Sequence, residues 1–289
     1  MRNTEWNIKT VPNEKDIKAI DLSVDSDILK ILYSRGIRTK KAIRDFLNPK
    51  LENIRNPYGL YDMEKSVNII LKAIKEKKSI WIYGDYDVDG ITSTSILYSA
   101  LKKLGVHEIN YYIPIRDEGY GLNIEALKKI KESGADLVIT VDCGITAFEE
   151  VKYANSINLP VIITDHHNLN GNKIPDALAV INPKRAENTF PFEYLAGVGT
   201  VFMMILCLFE KLDIKEEAYK YLDLVSIGTV ADIVPLLEEN RILTKFGLEQ
   251  LPYTENKGLK YILYKLFNGN SDSYNTSSVP KTEYSTYDA

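Results

Sequence analysis

The 289-residue chain contains only two cysteines, Cys143 and Cys207, and only three histidines. Two cysteines make no disulfide framework, and Cys207, inside an apolar run, reads as a buried free thiol. Long hydrophobic runs are also missing: the longest, Val201 to Phe209, is far too short to span a bilayer. The N-terminus, Met1-Arg2-Asn3-Thr4-Glu5, has no apolar signal core, so the expected location is the cytoplasm, with no membrane partner. There is no Gly-x-Ser-x-Gly elbow and no Gly-x-x-x-x-Gly-Lys-Ser/Thr loop, which gives nucleophilic-serine and P-loop chemistry no support. Positive charge is not in excess: 36 Lys and Arg against 40 Asp and Glu give a net charge of −4 and a pI near 5.6. That disfavours a broad basic surface for duplex DNA. It leaves room for a local groove, because carboxylates gathered at one site lower the net charge without coating the surface.

What the chain does have is 45% hydrophobic and 26% charged residues, enough for one large globular domain or two smaller ones. Residues 1–56 read as a helical lead-in. Asp25-Ser26-Asp27 can cap a helix through Tyr33, Gly36 can end it, and Thr39 can cap the next through Leu47. A helix over Met63–Glu76 leads into short apolar strands at Ile80–Tyr83, Ile109–Ile113, Leu137–Val141, Val161–Thr164 and Ala179–Ile181. Helical patterns alternate with them at Ile91–Leu104, Ile124–Ser133 and Ala147–Ser156. Apolar strands alternating with helices predict an α/β, Rossmann-like, doubly wound and mostly parallel sheet within a main domain of residues 57–267. C-terminal helices are expected over Leu195–Leu212, Lys215–Val230 and Asn240–Leu251. The polar stretch 268–289 is expected to be disordered.

The densest chemistry is Gly84-Asp85-Tyr86-Asp87-Val88-Asp89-Gly90, between an apolar strand and a helix. Carboxylates at alternate positions in one turn repel each other in low dielectric, and a fold that keeps them together usually supplies a divalent cation. The spacing also opens an EF-hand loop, but the twelfth position is Ile96 where a glutamate is required, and a strand precedes it. One aspartate could simply cap the helix, which leaves two over. Asp142 ends the third strand, and its strand end could lie beside the first. Asp165-His166-His167 ends the fourth, an arrangement ill suited to core packing. Histidine among aspartates leans to Mn²⁺ over Mg²⁺. Asp232, flanked by apolar residues in Gly228-Thr229-Val230-Ala231-Asp232-Ile233-Val234-Pro235, needs a partner or a metal if buried. Ala196-Gly197-Val198-Gly199-Thr200 precedes a helix, where free amides can bind a phosphate; tight helix packing explains it equally well.

These residues carry a resemblance. Gly84-Asp85-Tyr86-Asp87-Val88-Asp89-Gly90, Val141-Asp142-Cys143-Gly144, Thr164-Asp165-His166-His167 and Thr229-Val230-Ala231-Asp232 resemble, in order, the four motifs of the DHH phosphoesterase superfamily. Asn56-Pro57-Tyr58-Gly59-Leu60, Gly119-Tyr120-Gly121-Leu122-Asn123, Ile181-Asn182-Pro183-Lys184 and Ala196-Gly197-Val198-Gly199 narrow it to the RecJ-type single-strand-specific exonucleases. The resemblance spans roughly residues 30–260. It implies two divalent cations, Mn²⁺ or Mg²⁺, held by Asp87, Asp89, Asp142, His166 and Asp232, with Asp142 bridging. Asp85 would be a further ligand or an acceptor behind them. His167 would contact the scissile phosphate and Asp165 would orient the histidines. Arg116 and Lys184 would be phosphate contacts along the strand.

The implied reaction is hydrolysis of single-stranded DNA from its 5′ end, in DNA repair and recombination, with a single-strand-binding protein or a helicase as possible partner. RecJ-type proteins continue into a second catalytic domain that these residues do not include, so activity of the 289 residues alone is open. Other superfamily members hydrolyse short oligonucleotides or cyclic dinucleotides. The pyrophosphatase branch would need a histidine where Tyr83 stands. A metal-free scaffold for repair or replication proteins would be expected to have lost some of these aspartates.

Overall fold

The structure, a computed structural model, describes residues 12, 14–20, 22–119, 121–171 and 173–268. The expected polar tail lies, from residue 269 onward, outside the described residues. Two compact units form, Met1–Asn53 and Ile54–Ala289.

In the first unit, α1 (Glu14–Ile20), α2 (Ser26–Ser34) and α3 (Lys40–Leu47) enclose Ile17, Ile20, Leu29, Leu32 and Ile43. Asp25 caps α2 by accepting from Asp27 N at 2.8 Å, and Thr39 caps α3 by accepting from Ala42 N at 3.1 Å.

The second unit is built on five parallel strands: β1 (Ser79–Tyr83), β2 (Glu108–Tyr112), β3 (Leu137–Val141), β4 (Val161–Thr164) and β5 (Ala179–Ile181), in the order β2-β1-β3-β4-β5. The continuous apolar runs of β3 and β4 suit strands covered on both faces, and both are wholly buried. α6 (Ile124–Glu132) and α7 (Phe148–Ser156) cover one face, where Leu127, Ile130, Val151 and Ala154 share a core with Val138 and Ile163. α4 (Met63–Lys75), α5 (Val88–Lys103) and α8 (Gly197–Glu210) contact the sheet as well; α8 touches β3 and β4 and is buried from Gly197 to Phe209. α9 (Leu222–Ala231) packs on α5, α10 (Glu238–Gln250) packs on α9, and α11 (Lys257–Asn268) closes the described chain. The doubly wound α/β expectation holds, with every strand parallel.

The chain winds outward from β1 to β2, then returns past β1 to β3. The crevice beyond the carboxyl ends of β1 and β3 is therefore a switch point of the topology, where open α/β sheets bind ligands. Tyr83 pairs with Thr140 and Val141 with Thr164, so the residues following β1, β3 and β4 share one edge.

Several limits differ from expectation by one or two residues, α11 was not expected, and two differences have a visible cause. α5 starts at Val88 instead of Ile91 because Asp87 caps it, accepting from Gly90 N at 2.9 Å. The single helix expected over Lys215–Val230 is a 3₁₀ segment, Lys215–Tyr221, followed by α9. An α-helix would point residues two apart about 200° from each other. Here Tyr219 and Tyr221 both meet α8, with ring centroids 6.4 Å from Phe202 and 6.3 Å from Phe209.

Ile139, at the centre of β3, is fully buried. Ile139→Ala is expected to lower unfolding free energy by about 3 kcal/mol, by lost transfer energy plus a cavity. Urea denaturation checks this; a loss below about 1 kcal/mol would mean that the sheet centre is loosely packed.

Candidate metal centre

The β1–α5 turn brings its three aspartates to different places. Gly90 lies so close to Asp85 that a Cβ would run into the Asp85 backbone, so the turn needs glycine there. Asp85 is fully buried and accepts from Tyr86 N at 2.7 Å. Asp87 is exposed, with one oxygen capping α5. Asp89, in the first turn of α5, is buried, and both its oxygens accept amides from the start of α8: Gly197 N at 2.6 Å and Val198 N at 2.8 Å. The amides that the sequence left open to a phosphate thus hold a carboxylate, on the positive end of the α8 dipole. Even so, burial pushes the Asp89 pKa up to about 7, with the Asp232 and Asp87 charges adding to the rise.

Asp142, just past β3, has φ of +60°, an unusual conformation for a residue with a side chain. Its carboxylate is buried against Gly197, where a Cβ would collide with Oδ1, and neither oxygen accepts a hydrogen bond. Burial, followed by the charges of Asp89, Asp87, Asp165 and Asp232, raises its pKa well above the usual carboxylate range. Asp232 caps the C-terminus of α9, half-buried, where the helix dipole disfavours a negative charge. Burial raises its pKa as well.

His166 joins these groups. Its Nε2 lies 3.1 Å from Asp142 Oδ1, 3.6 Å from Asp232 Oδ2 and 3.8 Å from Asp89 Oδ2, yet makes no hydrogen bond. Burial lowers the imidazole pKa to about 4, so the ring is neutral. A backbone hydrogen bond at Leu195 takes the ring's N–H, which leaves an Nε2 lone pair facing carboxylate oxygens. Buried acceptors turned toward one another need a proton or a cation between them, and a divalent cation serves several of them at once.

Two ligand sets result. Asp85, Asp87 and Asp142 bring ligand atoms within 4.8 Å of one another, and so do Asp89, His166 and Asp232. Asp142 also groups with His166 and His167, so it stands between the sets. The oxygen-rich donors with one imidazole fit Mn²⁺ or Mg²⁺.

Asp165 is the organiser behind them. Its oxygens accept from Ile145 N at 2.8 Å, His166 N at 2.7 Å and His167 N at 3.0 Å, and from His167 Nδ1 at 2.7 Å. Burial alone would raise its pKa, but the hydrogen bonds from His167 and Ile145 outweigh it and hold the carboxyl below its usual value. Burial would lower His167, and the Asp165 hydrogen bond and charge outweigh that to raise it. Asp165 therefore fixes the His167 proton on Nδ1 and presents the other nitrogen outward.

Arg116 is exposed and lies 5.5 Å from the centroid of the Tyr86 ring, at the lip of the first aspartate turn. Its loop is held by Tyr83 Oη, which donates to Gly121 O at 3.0 Å and accepts from Asn123 Nδ2 at 3.2 Å. The Lys184 charge bears on His166, His167 and Asp232, which places it beside the same site. His107, the remaining histidine, is exposed and apart. Sequence reasoning missed Asn240. Its buried Nδ2 donates to Tyr194 O at 2.6 Å and Pro235 O at 3.1 Å, tying the Asp232 loop to the segment before α8. It belongs to no motif, so no local signal could have found it.

The profile of the DHH family, N-terminal domain, matches residues 79–229. The single-stranded-DNA-specific exonuclease RecJ of Bacillus subtilis (strain 168) is 40% identical over 277 residues, covering 95% of this chain and 34% of that protein. A crystal structure of RecJ in complex with Mn²⁺ from Thermus thermophilus superposes with a TM-score of 0.75 at 30% identity, covering 92% of this chain and 38% of that one. A crystal structure of exonuclease RecJ bound to manganese gives 0.66 at 33% identity, over 76% and 55%. The chain thus spans about a third of the length of the Bacillus relative.

Gly197→Ala should force Asp142 aside and disturb the amides on Asp89. Mn²⁺ affinity by calorimetry is expected to fall at least about tenfold, the scale seen when groups supporting metal ligands are disturbed. Unchanged affinity would remove Asp142 from the metal site. His167 in the metal-free protein should titrate above its usual 6.5, and Asp165→Asn should bring it down, as read by NMR. With its folded pKa raised, the His167 contribution to stability is complete below the unfolded value and is lost as pH rises through the folded one; the Asp165 contribution, its pKa being lowered, is lost at the acid end as pH falls through the folded value.

Proposed function

This chain belongs to the DHH family, and from that premise we propose that it is a two-metal phosphodiester hydrolase acting as an exonuclease on single-stranded DNA. The observation that carries the reading is the buried pair Asp142 and His166 Nε2, lacking hydrogen-bond partners and lying between two acidic ligand sets. Asp85, Asp87 and Asp142 would hold one cation, and Asp89, His166 and Asp232 the other. Mn²⁺ or Mg²⁺ bound there supplies an activated water and neutralises the phosphate.

The chain's own residues do the positioning. Asp165 locks the His167 ring, whose remaining nitrogen is offered to an oxygen of the scissile phosphate. Arg116, over Tyr86, and Lys184, tied through Asn182 to His167, are the cations for flanking phosphates. Asn182 Nδ2 donates to the His167 carbonyl at 3.0 Å, which steadies the histidine backbone. The single-stranded substrate and the exonuclease action are supported by the likeness to the RecJ proteins. The 5′-to-3′ polarity, the place in repair and recombination, and a single-strand-binding protein or helicase as partner rest on family resemblance. Since the relatives are much longer, their full activity is carried over as part of this proposal. The non-catalytic reading has no observation in its favour: every ligand side chain is retained and gathered.

The test is incubation with Mn²⁺ and 5′-labelled single-stranded DNA, beside Asp142→Ala. Release of labelled mononucleotide by the parent and none by the variant is expected, with circular dichroism unchanged. Equal turnover by both would sink the two-metal reading, and hydrolysis of dinucleotides alone would favour a short-oligonucleotide enzyme. If Arg116 and Lys184 each meet one phosphate, Arg116→Ala and Lys184→Ala should each flatten the slope of log affinity against log salt by about 0.7. A slope equal to the parent's would remove that residue from the strand's path.

A further inference from the structure

The segment between β5 and α8 forms an open pocket of about 310 Å³ lined by Lys184, Arg185, Asn188, Phe192, Glu193 and Tyr194, among others. Both of its walls are joined to the metal centre. On one side Asn182 links the His167 carbonyl to Lys184 N, donating at 3.0 Å to the first and accepting at 2.8 Å from the second. On the other, Tyr194 directly precedes Leu195, whose backbone bonds His166, and Asn240 holds the Tyr194 carbonyl.

Most of the pocket's polar groups are already engaged. Arg185 donates to Val180 O at 2.7 Å, Asp62 at 3.2 Å and Glu187 at 2.8 Å, and its Nε is out of reach of solvent. Asn188 donates to the Asn182 and Pro183 carbonyls and accepts from Tyr61 N. The rings of Phe190 and Phe192 lie under the Arg55 guanidinium, 5.6 and 5.8 Å from their centroids, and Arg55 is itself paired with the buried Glu239. Lys184 and Tyr194 are left to meet a ligand, beside the exposed Glu193 carboxylate. Tyr194 is 45% exposed, with its hydroxyl hydrogen-bonded to Glu193 and its ring edge to face with Phe192 at 5.8 Å between centroids. The Lys184 ammonium forms no ion pair among the described residues, and its backbone is tied through Asn182 to the His167 carbonyl.

A cation beside the hydrolytic site and a half-exposed aromatic ring in one pocket define the occupant. We propose that this pocket takes one nucleoside of the DNA strand beside the scissile phosphate, its base stacked on Tyr194 and the adjoining phosphate on Lys184. The inference rests on the phosphodiesterase reading above. The volume lies at the low end for ligand pockets and admits one base, not a base pair. A single strand, whose bases are free to turn out, suits such a pocket, and stacking with charge tolerates every base.

The test uses the full chain with Ca²⁺ and single-stranded oligonucleotides carrying one abasic residue at successive positions, followed by fluorescence anisotropy. The parent should lose about tenfold in affinity at one position only. Tyr194→Ala should bind the unmodified strand about tenfold more weakly and lose nothing further at that position, while Tyr194→Phe binds like the parent. A thermal melt matching the parent's shows that the fold is kept. Equal binding by the parent and Tyr194→Ala, additive losses, or no binding of the strand at all would each overturn the inference. Turnover of bis(4-nitrophenyl) phosphate, which carries no nucleoside, is measured separately with Mn²⁺. Its loss in Asp142→Ala upholds the hydrolase reading whatever Tyr194 does, so the two failures are told apart.

Discussion

The constraint on which this structure turns is the mutual repulsion of carboxylates gathered at the end of a buried sheet. Asp85, Asp89 and Asp142 are each almost wholly out of water, and Asp87 and Asp232 stand beside them. In a low-dielectric setting such a group cannot remain fully charged without compensation. The compensation is uneven. Asp89 has two amides from α8 and Asp165 has four hydrogen bonds, while Asp142 and the Nε2 of His166 have none. The charge that these groups lack is the charge that divalent ions bring.

The fold can be seen as the means of holding that conflict in place. The return of the chain past β1 to β3 sets three strand ends side by side at a switch point. α8, buried along nearly its whole length, cannot shift without opening the core, so its N-terminus is a rigid donor to Asp89. Asp232 is delivered at the wrong end of α9, where the dipole opposes it. One helix start supports the site and one helix end strains it. The left-handed backbone at Asp142 adds local strain at the same spot.

On the proposed reading, chemistry and grip lie apart around this centre. The acidic sets and the Asp165–His167 pair lie at the strand ends, whereas Arg116 over Tyr86 and the Lys184–Tyr194 pocket flank them. The net charge of −4 includes the carboxylates gathered here, so it does not describe the surface beside them. The likeness to much longer exonucleases concerns this metal-bearing portion.

Much of this was legible in the sequence, and the boundary is physical. The limits of β3, β4 and β5 follow from continuous apolar runs, and the caps at Asp25 and Thr39 from local hydrogen bonding. The spacing of Asp85, Asp87 and Asp89 announced a cation, because like charges in one turn need one. The start of α5 at Val88 was missed since Asp87 serves as both cap and candidate ligand, and pattern alone favours the first apolar residue. The 3₁₀ segment before α9 was missed because contacts with Phe202 and Phe209 override helical propensity. Tertiary structure alone decided that the α8 amides hold Asp89 instead of a phosphate, that Asn240 ties two loops together and that Tyr194 is left open beside Lys184. These are contacts between residues distant in the chain. Periodicity and capping act within a few residues, whereas such contacts exist only once the core has brought the segments together.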